Sequence, residues 1–378
     1  MSEQIDGPAS ARRSKSGSAL KSVTVRVLAA VIGLAVAESG LRVFGYHRPP
    51  EYPPAPVRPD LYVDDSAFGY HLWPLSRTCM RYPAHTHRMV ALISNADGFA
   101  SSRNLGEPDP RPRVLVIGDS FTMGLGINEG KRYTEVVENL EPRWRVDNMG
   151  MTGWGLDLMV RALEALGKKA QPTVVVLAIY TDDLTRLSPR YVGVAGRPYT
   201  KFKLVGGKLV DTPPFKLAFW HRFHLSELLR AVNERLDPRA RNRYPLNEAL
   251  LNRFHDLTAE LNATPVVLFL PGRVDSAEDR ERRAFLREWA EAKGVVYRDL
   301  TEVVHGPGVE ETYFRYSHHW NEHGHELVGR GLHELLATSV LRGKGAGIEV
   351  RTLPPPSWRQ QRFDYCTDHG DSAQGSVK

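Results

Sequence analysis

Three short runs of almost unbroken apolar residues limit the fold most strongly: Val114–Ile117 (VLVI), Val174–Ile179 (VVVLAI) and Pro265–Leu270 (PVVLFL). Each has the length of a strand and is bounded by Gly, Pro or polar residues. A strand that is apolar on both faces must be covered on both faces. Between these runs lie helical patterns, so the chain alternates strand and helix. That alternation predicts an α/β fold with a doubly wound parallel sheet in three layers. Two weaker strands are expected over Arg145–Asn148 and Val295–Tyr297. Helices are expected over Tyr133–Leu140, Asp157–Leu166, Leu225–Leu236, Leu246–Leu261, Arg280–Lys293 and Glu322–Leu341. In the fourth of these, Leu246, Leu250, Phe254, Leu257 and Leu261 recur at helical spacing. Gly206-Gly207 centres a hairpin over Lys203–Val210. In such sheets the reacting groups sit just beyond the carboxyl ends of the strands.

The N-terminus is a separate problem. Val27–Ala37 (VLAAVIGLAVA) is apolar throughout, with Arg12, Arg13, Lys15, Lys21 and Arg26 before it and Glu38 and Arg42 after it. A membrane span needs about 20 mostly apolar residues. The stretch Val23–Tyr46 reaches that length by taking in Arg26, Glu38 and Arg42, whose heads can snorkel near the ends. A cleaved signal peptide is the alternative, with Ala35-Val36-Ala37 as its small-residue site. Either way the positive flank stays inside, and the remainder is expected outside the cytoplasm. A buried amphipathic helix is the third reading.

The expected organisation is a basic tail and apolar segment over 1–46, a Pro-rich spacer and extension over 47–110, the α/β domain over 111–342, and a loosely ordered tail over 343–378. Lys and Arg number 50 against 44 Asp and Glu, a formal excess of +6. Arg280, Arg282, Arg283 and Arg287 alternate with Glu278, Asp279, Glu281 and Glu288, which reads as a solvated helix face with compensating pairs. No uncompensated basic stripe or nucleic-acid module is visible, so no nucleic-acid partner is expected. The two cysteines, Cys79 and Cys366, form no CxxC pair, which argues against thiol metal sites and thioredoxin-like chemistry. They are expected to be unpaired, although export would allow them to bond.

The chemistry centres on Gly118-Asp119-Ser120-Phe121-Thr122. A serine directly after a buried strand and a tight Gly turn stands at the sheet's carboxyl edge. Its hydroxyl can then face a crevice while its backbone N–H stays free to donate, and a nucleophile needs both. Taken alone, the same triplet reads equally as a strand-end turn with Ser as a helix cap.

Three further segments give it context. Asn148-Met149-Gly150-Met151-Thr152-Gly153 follows the second strand, Tyr180-Thr181-Asp182-Asp183-Leu184 follows the third, and His318-His319-Trp320-Asn321-Glu322-His323-Gly324-His325 opens the last helix. With Gly118–Thr122 these resemble, in order, the four blocks of the SGNH/GDSL hydrolase family over roughly Arg113–Leu341. Asn95–Phe99 and Glu38…Arg42 are similar to exported, anchored members. The resemblance implies a flavodoxin-like fold without a cofactor, Ser120 as nucleophile and His319 as base. It also implies an oxyanion hole made by the N–H groups of Ser120 and Gly153 and the residue at Asp182.

Two positions depart from the family pattern. Asp182 stands where the family has an Asn, and an ionised carboxylate offers only acceptors to a developing oxyanion. It could donate if protonated, which burial beside Asp183 would favour; otherwise Thr181 or the backbone must serve. The family aspartate that orients the histidine lies two or three residues before it, and here those residues are Ser317 and Tyr316. Either can hydrogen-bond the ring, but neither carries a charge to stabilise the imidazolium. His318, His319, His323 and His325 lack the spacing of a zinc helix motif, so no metal is expected, and His325 reads as a structural histidine. The leading function is an extracytoplasmic ester hydrolase or O-acyl transferase acting on an acylated polysaccharide or similar ester. The alternative is a catalytically weak module for carbohydrate binding or envelope assembly.

Overall fold

A computed structural model describes residues 15–44, 61–81, 89–188, 199–213 and 244–345, with 191, 193, 194, 197, 223–226, 228, 229, 232, 347–349 and 366. The chain divides into two compact units. One holds residues 1–53 and 217–241, the other 54–216 and 242–378.

In the smaller unit, α1 (Lys15–Val43) includes a 21-residue apolar stretch, Val23–Val43, long enough to cross a membrane. Every residue from 23 to 37 is exposed, which does not fit a helix buried in a protein core. Near its end Glu38 accepts from the backbone N–H groups of His224 (3.0 Å) and Leu225 (2.9 Å) and pairs with Arg42 (2.8 Å). The helix expected over Leu225–Leu236 is helical where described, at 224–226, 228, 229 and 232; its other residues, and the Pro-rich spacer, lie outside the described residues.

The larger unit begins with two antiparallel hairpins. β1 (Tyr62–Asp65) pairs with β2 (Gly69–Leu72), and β3 (Arg77–Arg81) with β4 (Met89–Ile93). The α/β core follows: β5 (Arg113–Gly118), α2 (Ser120–Met123), α3 (Tyr133–Leu140), β6 (Arg145–Gly150), α4 (Leu156–Ala170) and β7 (Val174–Tyr180). Next are the hairpin β8 (Lys201–Val205) and β9 (Lys208–Thr212), then α5 (Tyr244–Glu260), β10 (Thr264–Leu270), α6 (Ala277–Lys293) and β11 (Val296–Asp299). Two short helices, α7 (Thr301–His305) and α8 (Val309–Thr312), lead into α9 (Glu322–Leu335).

The sheet order is β11-β10-β7-β5-β6, and every pair in it is parallel. From β5 the chain first steps outward to β6, then crosses back to β7, so the topological switch point lies between β5 and β7. Doubly wound sheets bind their ligands at that crevice. Val114, Val116, Val174, Val176, Val266 and Leu268 join one buried cluster with Tyr133 and Val137 of α3 and Val328 and Leu332 of α9. Strand alternation sends Leu115, Ile117, Val175, Leu177, Val267 and Phe269 to the opposite face. All six are at most 1% exposed. Each such side chain contributes about 1.5–3 kcal/mol by leaving water, so the two-sided burial anticipated from the apolar runs is the main support of the sheet.

The cysteines correct the expectation of unpaired thiols: Cys79 on β3 and Cys366 are joined by a disulfide across a sequence separation of 287. The spacing gave no hint because the pairing is made by tertiary approach, with Cα atoms 5.7 Å apart. Opening it with reductant or by Cys366→Ser should cost about 2–4 kcal/mol through the freed unfolded chain. Denaturant midpoints with and without reductant measure this; equal midpoints would show that the bond adds nothing.

Candidate functional site

The carboxyl ends of β5, β6 and β7 are level, with Gly118 paired to both Gly150 and Ala178. The chain turns sharply after Gly118, where a Cβ would lie 2.1 Å from Thr122 Oγ1 and 2.8 Å from the Ala178 carbonyl oxygen. Only glycine permits so close a return. Asp119 then caps α2, its Oδ1 accepting from the Phe121 N–H at 2.9 Å. Ser120 is therefore the first residue of a helix, and its own N–H has no partner in the preceding turn.

His319 reaches the same point from the other end of the domain. Its Nε2 lies 2.8 Å from Ser120 Oγ, across 199 residues of sequence. The ring packs on Phe121, with centroids 4.9 Å apart, and His318 lies beside it. Ser120 and His319 are 1% and 4% exposed, so their hydrogen bond is shielded from water, where electrostatic effects are strengthened. Behind the ring, Ser317 Oγ is 3.2 Å from Nδ1 and accepts from the His319 backbone N–H at 3.1 Å. Tyr316, the other candidate for that place, is 72% exposed, with the Arg315 guanidinium over its ring.

For Nε2 to accept the serine proton, Nδ1 must carry hydrogen and donate it to Ser317. The hydroxyl oxygen then uses both lone pairs, one for the ring and one for the backbone. It orients the ring but gives an imidazolium no opposite charge.

Gly153 has φ +75°, a left-handed conformation suited to glycine. Two tyrosines hold its loop. Tyr70 on β2 donates to the Thr152 carbonyl at 2.8 Å, and Tyr191 donates to the Gly153 carbonyl at 2.9 Å. In a trans peptide the N–H points opposite the C=O, so anchoring the Thr152 carbonyl on Tyr70 turns the Gly153 N–H away from that hydroxyl. Among the described residues neither the Gly153 nor the Ser120 N–H has an acceptor. Sequence reasoning missed Tyr70 and Tyr191. The role of Tyr70 belongs to an extension that shows only short mixed segments in sequence.

The third loop is arranged differently from its sequence reading. Asp182 is half exposed and pairs with Arg282 at 3.2 Å, not buried beside Asp183. The Thr181 hydroxyl donates to Asp279 and accepts from Arg282 Nη1 at 2.8 Å. Asp183 is the buried member of the pair. Its Oδ2 accepts from the Tyr180 N–H at 2.8 Å, and its Oδ1 meets Arg186. Burial, with Asp119 nearby, pushes the Asp183 carboxyl well above the usual range, against the pull of Arg186. Arg186 was also missed in sequence; the one available signal was a cation three residues after a buried acid.

His325 is buried on α9. Desolvation beside Arg132 lowers it to about 3, so the neutral ring accepts from the Tyr133 N–H at 3.2 Å and stacks on Tyr133. His323 is exposed. Among the described residues no group of three His, Cys, Asp or Glu is arranged to hold a metal.

The sequence model of the GDSL-like lipase/acylhydrolase family matches residues 116–327. No curated protein matches the chain. Among solved structures, the chain is similar to a member of the lipolytic protein G-D-S-L family from Veillonella parvula, at 15% identity and TM-score 0.39, over 60% of this chain and 98% of that one. It is similar to the lipase/acylhydrolase from Enterococcus faecalis at 15% identity and TM-score 0.38, over 60% and 95% of the two chains. A psychrotrophic esterase from Pseudoalteromonas sp. follows at 11% identity and TM-score 0.38, over 59% and 94%.

Proposed function

Because this chain belongs to the GDSL-like lipase/acylhydrolase family, we propose that it cleaves esters outside the cytoplasm through a serine–histidine pair, with Ser120 as nucleophile and His319 as base. The observation that carries this is the 2.8 Å contact between Ser120 Oγ and His319 Nε2 at the sheet's switch point. Ser120 Oγ attacks the acyl carbon while its proton passes to Nε2. The N–H groups of Ser120 and Gly153 receive the oxyanion. Collapse expels the alcohol, which takes the proton from His319 and leaves an acyl-serine. Water or a sugar hydroxyl then attacks that ester, again with His319 as base, so the chain acts as hydrolase or O-acyl transferase.

An acylated polysaccharide or comparable envelope ester is the proposed substrate, since α1 is proposed as a signal-anchor that leaves the catalytic unit outside. The exposed apolar stretch Val23–Val43 with basic residues before it supports that placement. The Cys79–Cys366 bond fits an oxidising compartment. Release of p-nitrophenol from p-nitrophenyl acetate by the full chain in detergent tests the reading. Turnover that falls about 10²-fold or more in Ser120→Ala supports it, and turnover unchanged in that variant refutes it.

A second reading, a catalytically weak module that binds carbohydrate, is favoured by one observation: a neutral hydroxyl, Ser317, stands at Nδ1 of the base. Asp182→Asn separates the two. Losing the exposed pair with Arg282 costs under about 1 kcal/mol of stability. In a live but detuned site the new amide is expected to raise kcat by about 10- to 100-fold, somewhat below the worth of a full oxyanion donor. No rise in a folded variant would remove Asp182 from the oxyanion hole.

A further inference from the structure

Three loops must hold one geometry for the proposed reaction: the turn carrying Ser120, the loop carrying Gly153, and the exit of β7. In sequence they lie far apart, and in the sheet they leave three different strands. One buried nitrogen touches all three. Arg186 Nη1 donates to Asp119 Oδ2 at 3.0 Å, to the Trp154 carbonyl at 2.6 Å and to Asp183 Oδ1.

Two of the partners sit one step from a working group, and the third holds the exit of β7. Asp119 precedes the nucleophile and caps its helix. Trp154 follows Gly153, and Asp183 fastens the backbone at Tyr180. The arginine is itself held, since its carbonyl accepts from the buried Lys201 ammonium at 3.0 Å. Its side chain is 2% exposed and both carboxylates are fully buried. A buried charge so placed is costly unless its partners are fixed in position.

We propose that Arg186 is a positioning residue that locks the Ser120 turn, the Gly153 loop and the β7 exit into the reactive arrangement. This rests on the ester-cleaving reading of the site. Arg186 touches no reacting atom; it acts through Asp119 and the Trp154 carbonyl. Without it, Asp119 and Asp183 share a dry site with no counter-charge and the loops separate.

Because Arg186→Gln alone leaves two unpaired buried carboxylates and can fail to fold, the test compares Arg186→Gln/Asp183→Asn with Asp183→Asn in the full chain. Removing the guanidinium should lower kcat and the rate of fluorophosphonate labelling by about 10- to 100-fold, the cost of misplacement near 1 Å. KM should stay within about threefold, because binding contacts are untouched while the transition-state geometry is lost. Arg186→Lys, which keeps the charge on a shorter stem, should recover part of the loss. Amide hydrogen exchange should quicken in peptides covering 119–124 and 151–155, but not in β7. Equal labelling rates and equal exchange in folded variants would overturn the proposal. A wild-type chain that never labels would sink the ester-cleaving reading instead, and exchange would still decide the role of Arg186.

Discussion

Placing an aspartate at position 317 is expected to speed ester turnover by between about 10² and 10⁴, the scale lost elsewhere when a triad aspartate no longer sets the histidine tautomer. Ser317 already faces the ring at 3.2 Å, so a carboxylate introduced there starts in reach of Nδ1. It changes two things. It accepts only, so Nδ1 must carry the proton and Nε2 is left free for the serine. It also places a negative charge beside the imidazolium that the proposed attack by Ser120 would form. The same charge favours the protonated ring before reaction, so the acid limb of kcat/KM should move to higher pH. A pH–rate profile of Ser317→Asp beside the wild type checks both. A slower variant, or an acid limb that does not move, would mean that residue 317 does not govern the ring.

The second large effect is the loss in Ser120→Ala, and its size depends on the first. Removing a serine nucleophile from a complete triad costs about 2 × 10⁶ in kcat, and removing the aspartate alone about 3 × 10⁴. A chain that already lacks the aspartate should therefore lose only about 10² when Ser120 is removed, if Ser317 replaces none of its function. The loss grows toward about 10⁶ in proportion to what Ser317 supplies. In the Ser317→Asp background, Ser120→Ala should cost the product of the two separate factors. His319→Ala should match Ser120→Ala, and the double variant should be no worse than either, because the two groups act as a unit. Steady-state kinetics on these variants measures the relation; additive losses would show that Ser120 and His319 do not work on the same proton.

The fold was legible where apolar runs were long and two-sided. Val174–Ile179 and Pro265–Leu270 could be little else than covered strands, and β7 and β10 sit side by side at the sheet's centre. β6 was harder, because Arg145 and Asp147 interrupt its apolar pattern. Both are nonetheless buried: Arg145 bonds Asp147 at 2.9 Å and the carbonyls of Asn104 and Glu107, supplied by the extension. Local pattern cannot report a partner that arrives from another segment. The same reason explains what was missed at the site. Ser120, Gly153 and His319 lie in short motifs at strand exits and the start of a helix, and such motifs carry over in sequence. Tyr70, Tyr191 and Arg186 hold those motifs in place through single contacts from distant or irregular segments. Asp182 shows the limit of a motif letter: its half-exposed setting against Arg282 is a matter of packing that the letter does not carry.

Mass analysis of the full chain after exposure to a fluorophosphonate probe tests most directly whether these two residues make a working nucleophile. The adduct is expected on the peptide carrying Ser120, absent in Ser120→Ala and strongly slowed in His319→Ala. A folded chain that stays unlabelled while a reactive serine hydrolase in the same tube is modified, or one labelled at another residue, would contradict the assignment.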